Sequence, residues 1–467
     1  MHSEGVDTVC HSAAPIVPSA FASTPALTAF RGSISRLYGK ADHTPLQTDL
    51  DAREVDDEAV NVDLRHAILM IARALDYVAI DDFNHGHRVG FIAYECAKRL
   101  GFSESRQEFS FFAGLLHDCG VSSVSEHERL IAKKNPAGLT DHCIRGHNYL
   151  DNCLVLRSFA PACRYHHTPW KNLRDRDLDP ADRDAAALIF LADRVDALRA
   201  QVVGDDHPDS IILHGEQIAA EIQKHAGTLF HPDYCEAMIE LVRIEGFWFS
   251  MNRSFIEGIG DSLGRDGSYD MHLKISEVIN LATFLSRIVD AKSPFTVEHS
   301  ERVAQIAMKL ARILGLSSWE QKQILVSGLL HDVGKLRVPD EILHKQGKLD
   351  DTEFSQMKRH SVDTRLALQW CFKDSPIVDW AANHHERLDG TGYPYRLSGD
   401  QLDLPSRILA VADIFQALAQ NRLYRGRLDF EQIMAIMVPM AERGGIDAQV
   451  LAAIQDRPDA FYTLATA

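Results

Sequence analysis

Along most of the chain, apolar residues recur every three or four positions, the spacing that gathers them on one face of a helix. Ile275, Val278, Ile279, Ala282, Leu285, Ile288 and Val289 form one such stripe, and Val303, Ile306, Ala307, Leu310, Ile313 and Leu314 form another. No run alternates apolar and polar positions for long enough to predict a sheet, so the expected fold class is all-α. Residues 1–56 lack any sustained period, being rich in Ala, Ser, Thr and Pro and then in acid (Asp49, Asp51, Glu54, Asp56), and they read as a flexible tail. The glycine-rich stretch from Gly258 to Gly267 reads as a linker. The longest continuous apolar runs, such as Ala67 to Ala72 and Ile408 to Ala412, fall far short of the roughly 20 residues that cross a bilayer, so no membrane partner is expected.

The helical pattern is written twice. His85, the pair His117-Asp118, His142, the pair His166-His167 and Asp193 recur in the same order as His299, His331-Asp332, His360, His384-His385 and Asp413, each separated from its counterpart by 214 to 220 residues. The flanks agree as well: Leu115-Leu-His-Asp-Cys-Gly120 mirrors Leu329-Leu-His-Asp-Val-Gly334, and Ala192-Asp-Arg-Val-Asp-Ala-Leu198 mirrors Ala412-Asp-Ile-Phe-Gln-Ala-Leu418. A matched series of this length implies a tandem duplication of one histidine-rich helical domain. The expected division is a first domain over 57–250, a linker over 251–269 and a second domain over 270–467.

Composition narrows what the two domains do. A chain of 467 residues is long enough for roughly three domains or two large ones. With 49 Lys plus Arg against 66 Asp plus Glu the net charge is -17, the wrong sign for coating a nucleic acid polymer or an anionic membrane, so any phosphate is held by a local positive site. The N-terminus, with Glu4 and Asp7 and no basic cluster, does not read as a secretory signal. Eight cysteines are scattered without a CxxC pair, which argues against a disulfide framework or a thiolate zinc site and reads as reduced thiols in a cytoplasmic protein.

A single buried histidine is more often a core residue than a ligand, but that explanation fails for five histidines and two aspartates recurring in register. Imidazole nitrogen with carboxylate oxygen suits iron, manganese, zinc or nickel. Seven ligands exceed what one four- to six-coordinate ion uses, so two ions are implied, with one carboxylate bridging them. Asp332, adjacent to His331, is the natural bridge. Lys335 follows His331 by four residues, which brings a cation beside the ions if the segment is helical. Two such ions lower the pKa of a shared water and clamp the oxygens of an in-line displacement at phosphorus, so phosphate-ester hydrolysis uses every part. In the second half only, His384-His385 run into Glu-Arg-Leu-Asp-Gly390-Thr-Gly392-Tyr393-Pro394, a tight turn whose glycines and proline bring backbone close to a bound ligand.

His331-Asp-Val-Gly-Lys335, His384-His-Glu-Arg-Leu-Asp-Gly-Thr-Gly-Tyr-Pro394 and Arg407-Ile-Leu-Ala-Val-Ala-Asp413 resemble the HD-GYP family of bacterial cyclic dinucleotide phosphodiesterases. The resemblance covers about residues 270–467, and more weakly 57–250, where Ala226-Gly-Thr-Leu-Phe-His-Pro-Asp233 is similar to the family's C-terminal segment. It implies tandem HD-type helical domains and two divalent ions in the second, iron or manganese with nickel or zinc as alternatives. One ion would be held by His299, His331, Asp332 and Asp413, the other by Asp332, His360, His384 and His385. Lys335 would neutralise the scissile phosphate, and Asp332 and Lys335 carry the catalytic expectation. Gly390, Gly392 and Tyr393 of the loop, with Arg422 and Arg425, would contact substrate. Members with a third metal carry a glutamate where this chain has Phe295, so a binuclear site is expected. Gln416 stands where the family often has an aspartate.

The implied reaction is hydrolysis of a cyclic dinucleotide, cyclic di-GMP first and 3',3'-cyclic GMP-AMP as the alternative, to a linear 5'-phosphorylated dinucleotide. In the first half Val121 takes the place of the lysine, and Thr168-Pro169-Trp170 follows the His pair in place of the glycine loop. Metal binding by His85, His117, Asp118, His142, His166, His167 and Asp193 without efficient chemistry is the expectation there, and the half would serve as a partner, through intramolecular pairing or a homodimer. Two other readings stand beside this one. A regulatory metal- or nucleotide-binding module leaves Lys335 and the glycine loop unexplained, and a nucleotide phosphohydrolase of the wider HD superfamily leaves His360, His384 and His385 without a task.

Overall fold

The computed structural model of the chain describes residues 59–78, 84–123, 126–127, 129–130, 140–204, 206–263, 269, 271–292, 298–373, 375–421 and 426–466. The tail over 1–56, Phe295, Arg422 and Arg425 lie outside the described residues. The described chain is helical, as its periodicity predicts, with one small exception: Ala59–Asp63 (β1) and His272–Lys274 (β2) pair as short antiparallel strands. They are too short for the alternation that announces a strand in sequence.

Each half builds its histidine cluster from five helices in the same order. In the first half these are His85–Arg99 (α2), Glu104–Leu116 (α3), Asp141–Asp151 (α4), Ala160–Tyr165 (α5) and Pro180–Val203 (α6), preceded by Leu64–Leu75 (α1). Helix Arg253–Ser262 (α7) occupies part of the segment expected to be linker and packs on α1 and α2. After Ile275–Lys292 (α8), the second half repeats the set as His299–Ile313 (α9), Ser318–Leu330 (α10), Asp351–Leu368 (α11), Ile377–Ala382 (α12) and Leu404–Ala419 (α13). The helix starts follow side-chain chemistry: Ser317 with Glu320 and Asp350 with Glu353 form reciprocal capping boxes on α10 and α11. Asp179 before Pro180 and Asp403 before Leu404-Pro405 cap α6 and α13.

Glycine fixes how closely these helices cross. A Cβ on Gly328 would lie 2.6 Å from the Ala304 Cα, so α9 and α10 meet backbone to backbone. A Cβ on Gly334 would lie 2.0 Å from the His360 carbonyl oxygen and 2.7 Å from the Thr364 nitrogen, and Gly120 meets the His142 carbonyl oxygen in the same way. The glycine after each His-Asp pair is thus what lets the next ligand-bearing helix press on the turn. Gly334→Ala is expected to force α11 outward, lowering stability by about 1–3 kcal/mol and weakening metal binding through His360, as a thermal melt with and without metal would read.

The halves share a core. One cluster of buried apolar side chains runs from Leu69 and Ile71 through Phe112 and Phe190 to Leu281, Phe284, Leu325 and Phe372. Helix α1 of the first half packs on α11 and on the turn Val333–Arg337 of the second, the turn that carries Lys335. There Arg337 ion-pairs with Asp363 at 3.0 Å and lies over the Tyr77 ring at 5.8 Å, while Arg73 lies over Trp370 at 5.5 Å. Among the described residues no helix is long and apolar enough to cross a membrane.

Candidate metal centres

Most of these histidines stand at helix ends, and nearby backbone carbonyls orient them. A helix leaves its last carbonyls without intrahelical partners. His331, directly after α10, has Nδ1 2.7 Å from the Gly328 carbonyl oxygen, and His384, just after α12, has Nδ1 2.6 Å from that of Ala381. His360 within α11 makes the same bond to Met357 at 2.6 Å. In each case Nδ1–H donates to the carbonyl, and the other ring nitrogen, Nε2, is left with its lone pair for a ligand role. His299 opens α9 after Glu298, which adopts a left-handed φ of 67°, and Asn84 before His85 does so at 75°. Asp290 accepts from the Ser300 amide at 3.1 Å and its hydroxyl at 2.9 Å, fastening the start of α9 beside His299.

These positions converge on Asp332. Its Oδ2 lies 3.6 Å from His299 Nε2 and 3.3 Å from His331 Nε2, while Oδ1 lies 3.7 Å from His360 Nε2 and 3.8 Å from His384 Nε2. Asp413 joins the first side, 3.5 Å from His299 Nε2 and 3.9 Å from His331 Nε2. His385 joins the second, since His360, His384 and His385 each offer a donor atom within 4.8 Å of the others. One carboxylate therefore faces two groups of ligands with its two oxygens. All seven side chains are buried, and His331 Nε2 and Asp332 Oδ1 have no hydrogen-bond partner among the described residues. Buried polar atoms left in this way, around an all-nitrogen and oxygen donor set, fit divalent ions.

Electrostatics agree with that use. Burial pushes the Asp332 carboxyl up, but His331 and Lys335 outweigh it and hold it well below the usual carboxylate range. Burial pushes His360 down to about 4, and burial with His331 holds His384 well below its ordinary value. The centre is thus an anionic carboxylate with the His360 and His384 imidazoles held neutral on one side, while on the other Asp332 outweighs burial and raises His331 above its ordinary value.

Several residues around the ligands had no assigned role in the sequence. His299 Nδ1 bonds the Gln416 Oε1 at 2.5 Å, whereas in the first half His85 Nδ1 bonds Asp196 Oδ2 at 2.8 Å. Gln416 thus performs the orienting task that an aspartate performs in the other copy. Gln416→Leu is expected to weaken metal binding about 10–100-fold while Gln416→Glu largely retains it, as metal titration would measure. Lys292 is buried and donates to the carbonyls of Leu336 at 2.5 Å and Val338 at 2.8 Å, pinning the turn that holds Lys335. Lys335 itself sits on the rim with Nζ 2.5 Å from Asp332 Oδ2. In the glycine loop, a Cβ on Gly392 would lie 2.4 Å from the Arg387 nitrogen, Gly390 has a φ of 74°, and Glu386 accepts from the Tyr395 and Leu397 amides at 2.7 and 2.9 Å. The loop holds the Tyr393 ring 4.7 Å from that of His385.

The first half reproduces the bridge. Asp118 Oδ2 lies 3.4 Å from His117 Nε2 and 3.9 Å from His85 Nε2, and Oδ1 lies 3.4 Å from both His142 and His166 Nε2. Its surroundings differ. Val121 is buried at the lysine position, His127 lies 5.4 Å from the His85 ring, and Arg194 grips the Asp193 carboxylate with contacts of 2.8 to 3.1 Å. One cysteine that the scattered spacing did not single out stands beside this cluster. Cys143 groups with His142, His166 and His167, all donor atoms within 4.8 Å of one another. Counting CxxC pairs missed it because the neighbours come from α4 and the turn after α5. The signal that was available is its position directly after His142, matching Ser361 after His360.

The chain matches the HD domain family model over residues 82–198 and again over 283–450. It is 44% identical over 407 residues to the 3'3'-cGAMP-specific phosphodiesterase 1 of Vibrio cholerae, covering 87% of this chain and 94% of that one. It is 42% identical over 132 residues to a cyclic di-GMP phosphodiesterase of Pseudomonas aeruginosa, covering 28% of this chain and 32% of the relative. Among solved structures, a cyclic GMP-AMP specific phosphodiesterase of V. cholerae superposes with a TM-score of 0.58 at 25% identity, over 85% of this chain and 97% of that chain. The doubled HD signature, the repeated carboxylate-bridged cluster and this end-to-end likeness place the chain in the HD-GYP family of cyclic dinucleotide phosphodiesterases, as a member with two HD domains in tandem.

Proposed function

We propose that the chain hydrolyses a 3',5'-linked cyclic dinucleotide in the cytoplasm, with residues 270–467 as the catalytic domain and residues 57–250 as a degenerate partner joined by 251–269. The observation that carries this reading is Asp332, whose two oxygens face separate groups of ligands beside Lys335. His299, His331, Asp332 and Asp413 would hold one divalent ion, and Asp332, His360, His384 and His385 the other. The donor set suits iron or manganese first, with nickel or zinc as alternatives. Two such ions, when bound, supply an activated water and neutralise phosphate oxygens.

The protein's own groups supply the rest. Asp332 keeps both positions in one geometry. Lys335, on the rim of the centre, balances charge that builds on the non-bridging oxygens as water adds to phosphorus. The bond from phosphorus to the 3' oxygen breaks, that oxygen leaves as a hydroxyl, and the product is a linear dinucleotide with a 5' phosphate. The Gly390–Tyr393 loop supports His385 and lines the approach, and Arg422 and Arg425 would receive the substrate's phosphates.

Cyclic di-GMP is the leading substrate. A second reading, 3'3'-cyclic GMP-AMP, is favoured by one observation: a relative that matches this chain across both halves is named for that nucleotide. Anaerobic turnover by the Mn(II)- or Fe(II)-loaded protein of cyclic di-GMP, 3'3'-cyclic GMP-AMP and cyclic di-AMP, side by side, separates the two by kcat/KM. Hydrolysis of none of them would favour a binding module that signals to a partner.

A further inference from the structure

We propose that the first half holds a zinc ion in a site that includes a thiolate, with Cys143 joining His142, His166 and His167 as ligands, so that the two halves of one chain select different metals. The inference concerns the first centre only and stands whether or not the catalytic reading of the second is right.

The geometry carries it. The Cys143 Sγ lies 3.3 Å from His142 Nε2, and His142 Nε2 lies 3.4 Å from His166 Nε2. Tetrahedral zinc, with Zn–N of about 2.0 Å and Zn–S of about 2.3 Å, sets its donors roughly 3.3–3.5 Å apart. The His166 ring is fixed by its Nδ1 bond to the Cys163 carbonyl at 2.7 Å, and the His167 ring lies tilted against it with centroids 4.2 Å apart. All four side chains are buried, and His167 Nδ1, on a residue 2% exposed, has no hydrogen-bond partner among the described residues. Three imidazoles and one thiolate supply four donors, the number a tetrahedral zinc takes, with Asp118 Oδ1 3.4 Å from His142 and His166 Nε2 as a further oxygen beside them.

The second half is an internal control. There the residue after the histidine is Ser361, whose Oγ lies 3.5 Å from His360 Nε2, so the same place in the fold offers a hydroxyl. A neutral hydroxyl is a weak ligand, whereas a thiolate draws the site toward zinc and away from the manganese or iron preferred by nitrogen and oxygen donors. The other differences point the same way. Val121 removes the cation that phosphate chemistry needs, and the Arg194 guanidinium engages Asp193 on the opposite side of Asp118. The first centre has lost substrate-handling parts and gained a soft ligand, which suits a metal kept for holding the half together.

The test uses the full-length protein loaded with cobalt(II) and, separately, with zinc. Cobalt(II) bound to sulfur gives an intense thiolate-to-metal charge-transfer absorption that nitrogen and oxygen sites lack. The expected result is that band in the unmodified protein, its loss in Cys143→Ser, its persistence in Cys153→Ser, and zinc affinity in Cys143→Ser weaker by about 100-fold or more. Because Cys143→Ser copies the side chain of Ser361, the fold should tolerate it. Should it not, X-ray absorption at the zinc edge of the unmodified protein gives the same answer, with a sulfur scatterer at about 2.3 Å. A cobalt protein with no band that depends on Cys143, or bound zinc with no sulfur scatterer, would overturn the proposal.

Discussion

Asp332→Ala is expected to lower kcat by about a thousandfold or more and to lower bound metal in the second half, while Asp118→Ala leaves turnover largely intact. Asp332 is the one group whose two oxygens face His299 and His331 on one side and His360 and His384 on the other. Without it two cations would face each other with no anion between them. The lost transition-state stabilisation is several kcal/mol, which converts to that factor in rate. Asp118 holds the equivalent place in a centre where Val121 replaces the lysine and Arg194 engages Asp193, so its removal touches metal binding in the first half and not the chemistry. Steady-state rates with elemental analysis of both variants check this. A folded Asp118→Ala protein as inactive as Asp332→Ala would contradict the division of labour.

Residues 270–467 expressed alone are expected to be poorly soluble, or to melt far below the full chain. Leu273, Leu281, Phe284 and Phe372 belong to a core cluster that is continuous with the first half, and β2 loses its partner β1. Uncovering even three such side chains costs about 5–9 kcal/mol, comparable with the whole stability of an ordinary domain. Turnover should fall as well, because α1 and Tyr77 buttress the turn that carries Lys335. Thermal melts and turnover of fragment and full chain decide it. Equal values would reduce the first half to a passive remnant.

The clustering of the histidines and aspartates was legible because such side chains are chemically distinctive and recur in a fixed order, and duplication wrote that order twice. The helical class was legible for a similar reason, since amphipathic stripes such as Val303 to Leu314 obey one period throughout. What escaped depends on contacts between distant segments. Cys143 looks inert until α4 meets the turn after α5. Arg194 reads as one more charged residue on a long helix until its guanidinium is seen on Asp193. Gln416 looked like a departure from pattern, and its amide oxygen proves to do for His299 what Asp196 does for His85. The pairing of β1 with β2, more than two hundred residues apart, left no local trace at all.

The claim that the second centre opens a phosphodiester by attack of water on phosphorus is tested most directly by one turnover measurement. Metal-loaded Asp118→Ala protein, in which the second centre acts alone, is given a cyclic dinucleotide in water carrying heavy oxygen, and the product is read by mass spectrometry. The account predicts a linear dinucleotide with one heavy oxygen on its 5' phosphate. No product, or heavy oxygen found on the sugar, would contradict it.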